Sequence, residues 1–133
     1  MRFPLLAVLL VFLAPEVRAQ AVTFDEFLVD AEKCGQSAAF ADFHKDIGAK
    51  YRNDFGVRGA HVDDKVVVRI PPDLATGFGQ ARSVNKGEYT QVIVPALGIW
   101  RGLALREFEF TLGNENGIAA WAFRFAARHA DVE

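Results

Sequence analysis

LALREFEFTLGNENGIAAWAFRF, residues 103–125, decides the fold. Gly113-Asn114-Glu115-Asn116-Gly117 is the sharpest turn signal in the chain, because asparagine and glycine accept positive φ at little cost. On its far side Trp121, Phe123 and Phe125 share one face, and Ala120, Ala122 and Arg124 share the other. That is the period of a strand. On its near side Phe108, Phe110 and Leu112 alternate with Glu107, Glu109 and Thr111. Leu103 and Leu105 have the opposite parity. One extra residue near Arg106 or Glu107 puts both apolar sets on the core side, which is what a bulge accomplishes.

Upstream, residues 89–94 form a second strong strand, broken by Pro95 and Gly98. Residues 65–70 alternate Val66, Val68 and Ile70 against Lys65, Val67 and Arg69 and read as a strand ended by Pro71-Pro72. Residues 55–62 are a weaker strand candidate, loosened by Gly56 and Gly59, with Asp63-Asp64 as the following turn. Residues 73–86 are the least regular stretch. Gly77-Phe78-Gly79 suggests a surface loop with one aromatic anchor, and this stretch is the candidate for a mobile or ligand-facing segment.

The period changes nearer the N-terminus. Thr23 and Glu26 have the spacing of a capping box, and Phe24, Phe27, Leu28 and Ala31 recur at three and four residues. Gly35 interrupts the stripe. Ser37 caps a second helical segment, with Phe40, Phe43, His44 and Ile47 as its buried face and Tyr51 one turn further. Two short helices with a kink, or one bent helix, satisfy this pattern. Helices precede strands, so the expected class is α+β: two N-terminal helices packed on one face of a four- or five-stranded, mainly antiparallel sheet.

Residues 1–19, MRFPLLAVLLVFLAPEVRA, have the layout of a secretory signal peptide. Arg2 precedes a short apolar run, Pro15 breaks it, and Val17-Arg18-Ala19 precedes the expected cut. The run is short for a bilayer span. Residues 20–133 then form a single α+β domain with a short polar C-terminal tail. The expected location is the periplasm or the exterior, with no stable membrane insertion after cleavage. Cys34 is the chain's one cysteine, so no internal disulfide forms and packing must supply stability. Cys34 itself reads as a buried small hydrophobe near a helix end, with a reactive free thiol as the other reading.

The formal net charge is −2. Mild acidity argues against a broad nucleic-acid surface. No phosphate loop, nucleophile elbow or paired-cysteine metal motif is present. His44 falls on an apolar stripe, His61 lies beside Asp63 and Asp64 at a turn, and His129 belongs to the tail. No catalytic residue, metal site or cofactor is assigned. Glu107 and Glu109 project from one strand face and with nearby Arg101, Arg106 and Arg124 form a charged surface, read as solvated cross-strand pairs or as a recognition surface. Two carboxylates on one strand face do not make a glycosidase, which needs them on opposite sides of a bond. Trp100 is an interface anchor or a core residue. The candidate binding residues are therefore Glu107, Glu109, Trp100, Phe78 and the turn residues Asn114, Glu115 and Asn116. Export, small size and the lack of a catalytic set point to a non-enzymatic module that binds another envelope or secreted protein, such as an inhibitor or immunity factor for a cell-envelope hydrolase. A small-molecule or lipid-binding protein, with aromatic residues lining a pocket, is the alternative.

Overall fold

The computed structural model describes residues 20–51, 67–115 and 117–126. Strand alternation builds its larger half. β1 (Arg82–Asn85), β2 (Tyr89–Trp100), β3 (Leu103–Gly113) and β4 (Ala119–Phe125) form one antiparallel sheet whose spatial order is the chain order. Short connections impose this meander, since each strand can only fold back on its predecessor. Arg101 and Gly102 make the tightest reversal: Trp100 pairs with Leu103, and both turn residues have positive φ, 48° and 79°. That combination matches the right-handed twist of the flanking strands.

The expected irregularity in β3 is present. Pro95 faces Glu107 while Gly98 faces Leu105, so Ala96 and Leu97 share the space opposite Arg106. On the other side Arg106 is itself the extra residue against β4. The shift lets Leu105 and Phe108 both enter the core, at 2% and 0% exposure.

The helical half departs from expectation. Among the described residues there is one α-helix, α1 (Ala38–Tyr51), and not two. Residues 25–30 are turns, followed by a single 3₁₀ turn at Ala31–Lys33. The reason lies at Thr23. Its segment is captured by the end of β2 in a parallel bridge to Ile99, through Phe24 N–H to the Ile99 carbonyl and Ile99 N–H to the Val22 carbonyl, both 2.8 Å. The bridge leaves the segment the span from Phe24 to the left-handed Cys34, within which Leu28 N–H bonds the Phe24 carbonyl at 2.9 Å before the chain tightens into the 3₁₀ turn. Gly98 permits this approach, because a Cβ there would lie 2.5 Å from the Val22 carbonyl oxygen. Ser37, by contrast, performs the capping role: its Oγ accepts from Phe40 N–H at 3.1 Å and donates to the Phe27 carbonyl at 2.7 Å.

The apolar stripes are nonetheless buried. Phe27 from the turn segment meets Phe40 and Phe43 of α1 with ring centroids 5.4 and 5.8 Å apart, and Phe108 of β3 at 6.1 Å. Phe24, Phe40, Phe43, Phe108 and Phe110 are all at 1% exposure or less. Edge-to-face geometry dominates these pairs, as ring quadrupoles favour.

The strand expected at 65–70 is also corrected over its described part. Residues 67–70 form no ladder. They alternate as a strand would, with Val68 and Ile70 packed on the core, but Asp46 of α1 holds them. Its carboxylate accepts from Arg69 N–H and Nε, both at 3.0 Å, and from Nη2 at 3.2 Å. The fourth strand is instead β1, inside the stretch expected to be an irregular loop. The candidate strand at 55–62 and the Asp63-Asp64 turn lie outside the described residues.

Candidate functional site: the outer face of the sheet

The alternation that sends Val92, Val94, Phe108 and Phe110 inward sends Gln91, Ile93, Glu107 and Glu109 outward. Among the described residues no helix or strand covers this outer face. Its centre is an ion-pair lattice across the strands. Arg124 of β4 donates from Nε and Nη2 to Glu109 at 2.8 and 2.6 Å, and its Nε lies 3.4 Å from Glu107. Gln91 of β2 donates to the other Glu109 oxygen at 2.6 Å. Arg82 of β1 approaches Glu107 at 3.9 Å. The register dictates the arrangement, since Arg124 stands directly opposite Glu107 and one step from Glu109.

The electrostatics follow. The Arg124 guanidinium, seconded by the Gln91 amide, holds the Glu109 carboxyl below the usual carboxylate range against the opposing effect of burial. Glu109 in turn raises Arg124. A general acid at neutral pH needs its pKa pushed up. Glu109 is displaced the other way, which does not favour a general-acid role for it. Around the lattice lie short or apolar side chains: Val84, Ile93, Thr111, Ala120 and Ala122. The result is a surface with two carboxylates matched by two guanidinium groups.

The other candidates are dispersed. Phe78 is in the core and not at a loop tip, with its ring 5.2 Å from Phe43 and 5.5 Å from Phe24. Ala96 bridges to it, and Gly79 N–H bonds the Pro95 carbonyl. Trp100 is half-buried at the opposite end from the turn, stacked on Phe125 at 5.8 Å with the Arg101 guanidinium over its ring. Its buried Nε1 has no acceptor among the described residues. Asn114 joins two turns: its Oδ1 accepts from Thr90 Oγ1, and its Nδ2 donates to the Gly87 carbonyl, both at 2.8 Å. Glu115 is exposed beside it. Asn116 lies outside the described residues, as do His61, Asp63, Asp64 and His129. Only Glu107 and Glu109 are therefore brought together. Arg82 and Gln91 were missed by sequence reasoning, although the alternation of β2, with Val92 and Val94 inward, puts Gln91 on the outer face.

Cys34 is exposed, and not buried as expected, because it ends the 3₁₀ turn in a left-handed conformation with φ 57°. His44 stacks near Phe40 and Phe110 and receives the Gln36 side-chain amide at 3.0 Å. Among the described residues no three His, Cys, Asp or Glu side chains gather as metal ligands do. A concavity of about 640 Å³ lies between Asp25-Glu26, the start of α1 and Pro71, with Asp73 at its rim. Asp25 is already engaged there, accepting from Arg101 N–H at 2.7 Å. No helix among the described residues is long and apolar enough to cross a membrane. No family model, curated protein or solved structure matches the chain.

Proposed function

We propose that this chain is a small exported module that binds another protein of the cell envelope or exterior, and that the outer sheet face is its binding surface. An inhibitor or immunity factor for a cell-envelope hydrolase is the concrete form, acting by covering the enzyme's cleft. One observation carries the reading: a sheet face on which no described helix or strand packs bears a charge lattice whose members are already held in place. Preorganised charges lose little side-chain freedom on docking, and complementary charge gives orientation and speed of encounter. Small neighbours at Ala120 and Ala122 leave room for a partner's side chains.

The lipid or small-molecule alternative has less support. Phenylalanine rings fill the space between α1 and the sheet, and the concavity beside Asp25, Glu26 and Asp73 has acidic groups that do not suit an anionic ligand. Export rests on the leader at residues 1–19.

The test starts with expression in a bacterium that has an envelope. The exported form is expected to begin at Gln20 by N-terminal sequencing. Used as bait against envelope extract, it should retain a specific protein whose hydrolase activity falls on titration. Thr111→Arg, on the outer face, should abolish retention, and Lys45→Glu, on the exposed side of α1, should not. No retained protein at micromolar concentration, or retention indifferent to Thr111→Arg, overturns the proposal.

A further inference from the structure

We propose that the free edge of β4 pairs with β4 of a second copy of this chain, making one continuous eight-stranded sheet. The Gly113 N–H to Ile118 carbonyl bond fixes which residues of β4 turn their backbone toward β3. In an antiparallel ladder the hydrogen-bonded pairs alternate. Ile118, Ala120, Ala122 and Arg124 therefore bond inward, and Ala119, Trp121, Phe123 and Phe125 present their N–H and C=O groups to the free edge. Among the described residues no strand pairs there.

The two edges of the sheet differ in kind. β1 spans four residues, Arg82–Asn85, and the Asn85 side chain is folded back onto Gly87 N–H. β4 spans seven, AAWAFRF, with no proline and no lysine. An edge of that length without such guards is a template for strand addition. The aromatic side chains along it, Trp121, Phe123 and Phe125, are only half-buried within one copy.

The sequence of the edge identifies a second copy as the occupant. With a two-fold axis at Ala122, Trp121 of each copy faces Phe123 of the other, and Ala119 faces Phe125. Both are pairs whose backbone groups are available. Aromatic cross-strand pairs of this kind stabilise a ladder. On the outer face Ala122 meets Ala122 on the axis, and Arg124 lies over Ala120, where there is room for it. No like charges meet, because Arg124 is the one charged residue of the strand and is bound to Glu107 and Glu109. The axis stands perpendicular to the sheet, so both α1 helices fall on one side and both charge lattices on the other. The pairing does not depend on the function proposed above, but it would present that surface twice.

Sedimentation of the exported protein over a concentration series should show the mass doubling. Ala122→Lys places two ammonium groups together on the axis while facing Glu109 within its own copy. It should shift dissociation to a concentration higher by about tenfold, with circular dichroism and thermal midpoint unchanged. Oxidation gives a register-specific readout. In a Cys34→Ser background, Ala122→Cys should form a disulfide-linked dimer, since non-hydrogen-bonded pairs bring Cα atoms within disulfide range. Ala120→Cys should not, its two copies lying about 14 Å apart. A monomer at every concentration overturns the proposal. So does cross-linking at 120 as ready as at 122, or protection of the outward β4 amides from exchange in a monomer, which would mean the chain covers its own edge.

Discussion

Phe24, Phe27 and Leu28 on one side of Gly35, and Phe40, Phe43 and Ile47 on the other, are buried to the same depth by different backbones. All six are at 4% exposure or less. The first three hang from turns and the second three from an α-helix. Both segments carry apolar residues at three- and four-residue intervals. The helix has a serine whose oxygen meets an otherwise orphan amide, and a preceding chain free to follow it. The turn segment begins with residues already bonded to Ile99 at the end of β2. An apolar stripe thus decides what is buried, and it leaves open whether the backbone beneath it is a helix or a run of turns.

The largest test removes one ring from each side. Phe27→Ala and Phe43→Ala should each cost about 3–5 kcal/mol in denaturant-monitored stability, the range for a large buried aromatic ring reduced to a methyl group. Similar losses would show that the turn segment belongs to the core as fully as the helix does. A loss under about 1 kcal/mol at Phe27 alone would break the equivalence and mark residues 24–31 as a loosely attached flap.

The two regions also show where sequence reading succeeds. The C-terminal meander was legible because its strands are long and their alternation is anchored to the 113–117 turn. Even the bulge at Arg106 could be inferred, since the switch of parity between Leu105 and Phe108 has no other simple remedy. Residues 24–31 and 67–70 were misread for a common reason. Their local pattern is genuine, yet the hydrogen-bond partners that settle the backbone come from far along the chain: Ile99 for Phe24, and Asp46 for Arg69. β1 was missed because four residues, Arg-Ser-Val-Asn, carry no alternation of their own and pair only through the turn into β2. In the candidate site, Glu107 and Glu109 were legible from parity alone. Arg124 was legible as their neighbour, whereas Arg101 pairs with Glu32 instead, and compensation by Arg82 and Gln91 depends on register, which needed the sheet.

Each region uses a carboxylate to hold a distant backbone amide. Asp25 of the turn segment accepts from Arg101 N–H, and Asp46 of α1 accepts from Arg69 N–H. The Asp46 carboxyl is held below its ordinary value of 3.8, first by the Arg69 side-chain hydrogen bonds and then by the Arg69 amide. A depressed folded pKa stabilises the native state above the unfolded value, and that contribution is lost as pH falls through the folded one. Asp46→Ala should therefore cost about 1 kcal/mol at pH 7, the worth of a backbone amide deprived of its acceptor. The gap from the unmodified protein should narrow below pH 3.8. A gap that stays constant from neutral to acid pH would show that Asp46 acts by packing and not by charge.

The last comparison sets the cap at Ser37 against the smallest expected effect, at Thr23. Ser37→Ala removes both the acceptor for Phe40 N–H and the bond to the Phe27 carbonyl, so it should cost about 1–2 kcal/mol. Thr23→Ala touches only a long contact of 3.4 Å to Asp25 N–H, and its loss should stay near a few tenths of a kcal/mol. Equal losses would mean that Thr23 caps a helical turn after all, since only that role gives its hydroxyl the same amides to satisfy. Unequal losses would place the helix-forming signal of this chain at Ser37 alone. The bond from Ser37 to Phe27 gives that result a second meaning. The residue that starts α1 also ties down the segment that fails to be a helix, so losing it should weaken hydrogen-exchange protection on both sides of Gly35 together.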